Sequence, residues 1–131
     1  MKIVRIPVPT PFLVGPVNAY LIVSETPTLV DCGPLTEDAW EVLVAGIEGA
    51  GCRLDRLQRL VLTHAHIDHA GLANRLRQAS GCEVLAHPVD HAALCDVSGA
   101  WESSVVDFLV EACRRAGTPS SSLRALERQL A

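Results

Sequence analysis

The sequence predicts an α/β fold in which one sheet is layered against helices, and three observations carry that expectation. Short β-branched or apolar runs recur at residues 2–8, 18–24, 28–32, 59–63 and 83–87. Between the later runs, apolar residues return at helical spacing instead of alternating. Finally, 131 residues with 49% hydrophobic content and a formal charge of −4 suit one domain with a buried core.

Taken in order, residues 2–8 alternate and are rich in β-branched side chains, the pattern of a strand. Pro7, Pro9, Pro11 and Pro16 then stiffen a loop that does not fit inside a sheet. Residues 18–24 and 28–32 form an expected antiparallel pair, joined by Glu25-Thr26-Pro27. Gly33-Pro34 ends the second of them, with Gly33 free to turn sharply. Thr36 is a suitable N-cap for a helix to about Ala50, with Glu37 and Asp38 in its first turn. Trp40, Leu43, Val44 and Ile47 would be its buried stripe. After the strand at 59–63, helical spacing resumes from His69 to Ala79 through Leu72, Ala73 and Leu76. Residues 83–87 make a further strand, and Pro88 opens a helix at its first turn. Alternating strands and helices imply layering with right-handed crossovers. From Ser98 the pattern is purely helical, with Trp101, Val105, Phe108, Leu109, Ala112 and Cys113 on one stripe. Thr118-Pro119 begins a last helix carrying Leu123, Leu126 and Leu130.

The chemistry concentrates in Thr63-His64-Ala65-His66-Ile67-Asp68-His69, directly after the apolar run Leu60-Val61-Leu62. In extended backbone, His64, His66 and Asp68 would point to one side, with His69 starting the next helix. Neutral imidazoles and an ionised carboxylate are what zinc and its first-row neighbours bind. Asp68 alone would also suit a helix N-cap. Three crowded histidines beside it have no such ordinary explanation, because they repel one another when protonated. Asp31, at a strand end, could orient a ligand histidine or serve as a turn residue. His87 and His91 lie four residues apart but lack a third partner, and read as polar-tipped packing residues.

Composition narrows the partners. An acidic chain with no Lys/Arg block argues against nucleic acid and against a membrane surface. Its apolar stretches are too short to span a bilayer, and Met1–Pro7 lacks the apolar core of a signal peptide. Five scattered cysteines without a C-x-x-C fit free thiols in a reducing cytoplasm.

His64-x-His66-x-Asp68-His69 resembles the H-x-H-x-D-H signature of the metallo-β-lactamase superfamily, and Leu29-Val30-Asp31-Cys32-Gly33 is similar to that family's strand-to-glycine segment. The resemblance runs over roughly residues 3 to 91. It implies the N-terminal half of an αββα sandwich over residues 1–97, and a helical lid insertion over residues 98–131. It implies two zinc ions in a complete site, with iron or manganese as alternatives. His64 and His66 would hold the first ion, Asp68 and His69 the second. Asp68 would also act in catalysis by orienting the attacking water, and Asp31 would support the site from behind. The expected reaction is hydrolysis of a small-molecule ester, thioester or amide.

The family's second half supplies a further His, a bridging Asp and a last His, and none of those motifs follows here. The expectation is therefore a truncated chain, inactive alone, with an uncovered apolar sheet face through which it could self-associate. A non-catalytic metal-binding fragment and a mononuclear-iron dioxygenase relative are the alternatives. His66 stands where di-iron electron-transfer relatives carry Glu, which argues against that branch.

Overall fold

The computed structural model describes residues 1–13, 15–95 and 110–124. Two compact units divide the chain, Met1–Leu94 and Cys95–Ala131. The first is a mixed α/β unit built on five strands that lie side by side in chain order. They are β1 (Lys2–Val8), β2 (Val17–Val23), β3 (Thr28–Val30), β4 (Arg59–Val61) and β5 (Glu83–Leu85). β1, β2 and β3 form an antiparallel meander, whereas β3, β4 and β5 run parallel. The change follows from the connections. A four-residue link between β2 and β3 can only reverse the chain, while parallel neighbours need a longer crossover. Helix α1 (Glu37–Gly49) supplies the first crossover, and α2 (Ile67–Ala70) with α3 (Ala73–Ser80) the second.

α1 starts where its cap allows. Thr36 Oγ1 accepts the Ala39 amide at 3.2 Å, and Glu37 and Asp38 occupy the positive end of the helix. Its buried residues are Ala39, Leu43 and Ile47. The stripe is thus centred on Ala39 where the sequence suggested Trp40. Trp40 instead lies half-buried beneath the Arg75 guanidinium, 4.3 Å from its ring centroid, and Arg75 also pairs with Glu37.

Strand neighbours face opposite sides of a sheet, and the two sides differ here. One register row is Leu21–Leu29–Leu60–Val84, in which the three leucines are wholly buried. They join Leu43, Ile47, Leu72 and Leu76 in the core. Each such side chain contributes roughly 1.5–3 kcal/mol by leaving water. The adjacent row, Tyr20–Val30–Val61–Leu85, is also apolar, yet Tyr20 is 41% and Leu85 37% exposed.

The last three strands end at Val30, Val61 and Leu85, each two residues short of the expected ends, and one expected helix divides. The third strand stops at Val30 because Asp31 turns into the left-handed region. The expected helix from His69 to Ala79 is two helices meeting at Gly71-Leu72. A Cβ on Gly71 would lie 2.5 Å from the Leu35 nitrogen, so only glycine lets the chain pass so close to residues 34–35. After β5, a 3-10 turn at Pro88–Asp90 runs into α4 (His91–Leu94).

In the second unit, residues 110–115 and 120–124 are helical, with Val110 and Leu123 buried. Ser122 and Leu123 amides donate to the Pro119 carbonyl, as a helix opened by proline requires. The expected stripe at Trp101, Val105, Phe108 and Leu109, and Leu126 and Leu130, lie outside the described residues. Among the described residues no helix is long and apolar enough to cross a membrane.

Candidate metal centre

Parallel strands put their carboxyl ends on one edge, where open α/β sheets place their ligands. The three segments leaving that edge after β3, β4 and β5 build the site. Asp31 follows β3 with φ 57, a conformation that Asp tolerates better than most residues. It stays tied to β4 through its amide, which donates to the Val61 carbonyl at 2.9 Å. The residue is only 5% exposed and both its carboxylate oxygens are engaged. Oδ1 accepts the Thr63 amide at 2.8 Å, and Oδ2 accepts the Thr63 hydroxyl at 2.8 Å. Oδ2 also lies 2.9 Å from His69 Nδ1.

Cys32 and Gly33 finish the support. The Cys32 amide and thiol both donate to the His69 carbonyl, at 2.8 and 3.2 Å, and the Gly33 carbonyl accepts the Leu72 amide at 3.1 Å. Burial pushes the Cys32 thiol up to about 12, so it stays protonated in its role as donor. Gly33 has φ 87, and a Cβ there would meet Val8 Cγ1 at 2.4 Å.

These bonds fix two tautomers. An ionised carboxylate only accepts, so His69 carries its proton on Nδ1 and leaves Nε2 free. The Thr63 hydroxyl spends its one proton on Asp31. His64 Nδ1, 2.9 Å from the same oxygen, must then donate to it, which frees His64 Nε2 as well. One buried carboxylate thus sets both imidazoles, one directly and one through a hydroxyl.

The four residues expected as ligands approach one another in pairs, while the donor group within 4.8 Å is Asp31, His64 and His69, without His66 or Asp68. The His64 ring centroid is 4.3 Å from that of His69 and 4.7 Å from that of His66. Asp68 Oδ2 is 3.7 Å from His69 Nε2, the free edge of that ring. The route to this cluster differs from the expected extended loop. The backbone enters α2 at Ile67, so alternation ends at His66, and a helical turn brings Asp68 and His69 round instead. His66 occupies the N-cap position itself, which removes the reading of Asp68 as the cap.

Two imidazoles beside a carboxylate are donors of the kind a divalent cation takes. Asp31, His64 and His69 each offer an atom within 4.8 Å of the other two. Of the three, Asp31 already has both oxygens engaged, by Thr63 and by His69. Unshared Nε2 lone pairs on adjacent half-buried rings, flanked by an exposed His66 and the Asp68 carboxylate, are what a divalent cation would join.

Three contributors escaped sequence reasoning. Thr63 carried a signal, a hydroxyl on the residue before the first histidine. Cys32 was read as a free thiol, and its backbone role left no trace in composition. Asp90, whose Oδ1 accepts the Ala65 amide at 3.2 Å, is 25 residues away and carried no signal. His87 is exposed, and its Nδ1 accepts the Val89 amide as a cap on the 3-10 turn.

Comparison with known proteins identifies the family. The family model of the metallo-beta-lactamase superfamily matches residues 13–124. The chain is 39% identical over 85 residues to a probable metallo-hydrolase, YqjP, of Bacillus subtilis (strain 168), covering 65% of this chain and 26% of that protein. It resembles the metallo-beta-lactamase family protein TTHA1429 from Thermus thermophilus, with a TM-score of 0.69 and 25% identity over 96% of this chain and 42% of that one. The metallo-beta-lactamase SMB-1, solved with mercaptoacetic acid, is similar with a TM-score of 0.52 and 31% identity over 56% of this chain and 28% of that one. The chain therefore spans about a quarter of the curated relative's length and less than half of these solved structures.

Proposed function

Since the chain belongs to the metallo-β-lactamase superfamily, we propose that it supplies one wall of the metal centre of a hydrolase acting on a small ester, thioester or amide. The observation that carries this reading is the pair of histidines, His64 and His69, with both Nδ1 atoms engaged and both Nε2 atoms free. His64 and His66 hold the first cation, Asp68 and His69 the second, with zinc as the expected metal and iron or manganese as substitutes. A bound cation of this kind lowers the pKa of water toward about 7 and so supplies a nucleophile at neutral pH. Asp68, beside the free edge of His69, orients the attacking water. Asp31 keeps the His69 proton on Nδ1 and, through Thr63, keeps that of His64 there too. The chain is acidic and its five cysteines form no disulfide, which supports a small-molecule substrate and a reducing, cytoplasmic setting.

The test is zinc content per chain by elemental mass spectrometry, paired with zinc-dependent turnover of a chromogenic ester. Bound zinc and turnover, lowered by at least roughly a hundredfold in His66→Ala, is the expected result. Because His66 is exposed, that change should leave the fold intact. A second reading has its own observation, the apolar row Tyr20–Val30–Val61–Leu85. A metal-free, inactive chain that associates as its concentration rises would favour a self-associating fragment over the hydrolase.

A further inference from the structure

The peptide between His64 and His66 is where the metal loop is most vulnerable. A rotation about Ala65 would swing the two imidazoles apart, since consecutive extended residues set each other's direction. One side chain holds that peptide: Asp90 Oδ1 accepts the Ala65 amide at 3.2 Å. The acceptor is itself well anchored. Leu62 donates to the Leu85 carbonyl at 2.8 Å, so the strands leading to both segments are still paired as they leave the sheet. Pro88 then starts a 3-10 turn that His87 caps at the Val89 amide, and the Asp90 amide donates to the His87 carbonyl at 3.0 Å. The turn at 87–90 therefore presents a carboxylate to the loop from a fixed height above β5.

We propose that Asp90 is a positioning residue of the metal loop, holding the backbone between His64 and His66 so that both rings reach one cation. This rests on the metal reading above and assigns Asp90 no contact with metal or substrate. Outer hydrogen-bond partners of metal ligands are commonly worth 10–100-fold in metal affinity. Asp31 grips the loop at Thr63, ahead of the ligands, and Asp90 grips it between them. Neither bond replaces the other.

The experiment measures zinc affinity by competition with a chromophoric chelator for the wild-type chain, Asp90→Ala and Asp90→Asn. Amide hydrogen exchange at Ala65 is read by NMR in the same samples. Asp90→Ala should weaken zinc binding by roughly 10–100-fold and expose the Ala65 amide to exchange. Asp90→Asn keeps a carbonyl acceptor at nearly the same place, and should restore most of the affinity and the protection. A merely structural role would not produce that rescue. Zinc affinity unchanged in Asp90→Ala, with Ala65 deprotected, would overturn the proposal while leaving the metal reading intact. A wild-type chain that takes up no zinc would overturn both. Should Asp90→Ala fail to fold, the wild-type chain decides, because an unprotected Ala65 amide there removes the bond on which the role depends.

Discussion

The segment after β3, Asp31-Cys32-Gly33, and the segment after β4, Thr63 to His69, leave neighbouring parallel strands at the same edge, yet water treats them differently. Asp31 is 5% exposed and Cys32 not at all. His64, Asp68 and His69 are half-buried and His66 is exposed. In the first segment the Asp31 carboxylate, the Asp31 and Cys32 amides and the Cys32 thiol are all spent on neighbours, and two residues hold positive φ. In the second, His64 and His69 each engage Nδ1 and keep Nε2 unshared. The difference separates two duties. The rear segment stores the strain and the hydrogen bonds that orient two imidazoles, and the front segment carries those imidazoles where water reaches them.

That contrast can be broken most forcefully at Gly33. Gly33→Ala adds a Cβ at φ 87 and 2.4 Å from Val8 Cγ1. Strain and overpacking together should cost about 3 kcal/mol in urea unfolding. His66→Ala, in the front segment, should stay within about 0.5 kcal/mol of the wild type. Equal losses at the two positions would mean that the front segment carries folding stability after all.

Asp31→Asn tests the link between the segments. With its oxygen facing the Thr63 amide, the new amide nitrogen must face the Thr63 hydroxyl and His69 Nδ1. It donates where the carboxylate accepted, so His69 is driven to carry its proton on Nε2, the atom meant for the metal. Zinc affinity should drop roughly 10–100-fold in a chain that still folds. Unchanged affinity would reduce Asp31 to a turn residue, the alternative that the sequence left open.

The smallest effect appears only in alkali. Burial raises the Cys32 thiol to about 12 from a reference value of 9.0. Above about pH 9 the unfolded thiol loses its proton while the folded one keeps it, so stability falls as pH rises. The slope attributable to this group is roughly 1 kcal/mol per pH unit, and Cys32→Ala should flatten the alkaline limb by that amount. Parallel alkaline limbs for the two proteins would show that the thiol is open to water.

Much of this was legible in the sequence wherever local chemistry decides. β1 spans the expected residues, and Thr36 caps α1 as its side chain predicts. The four loop residues that the motif singled out do meet, His64 with His66 and His69, and His69 with Asp68. Illegible features were those settled across the chain. The break between α2 and α3 depends on Gly71 passing residues 34–35, a contact that helical periodicity cannot register. The place of Asp90 depends on β5 pairing with β4, which no spacing reveals.

The distances along the chain between bonded partners at the site carry one more consequence, for the order in which the molecule can assemble. Thr63 to Asp31, His69 to Asp31 and Ala65 to Asp90 close loops of 32, 38 and 25 residues. The β1–β2–β3 meander needs only near neighbours. Long closures are slower and entropically costlier than local ones. The Asp31 and Asp90 bonds that orient this loop therefore form only after the parallel strands have docked, although the histidines themselves are close along the chain.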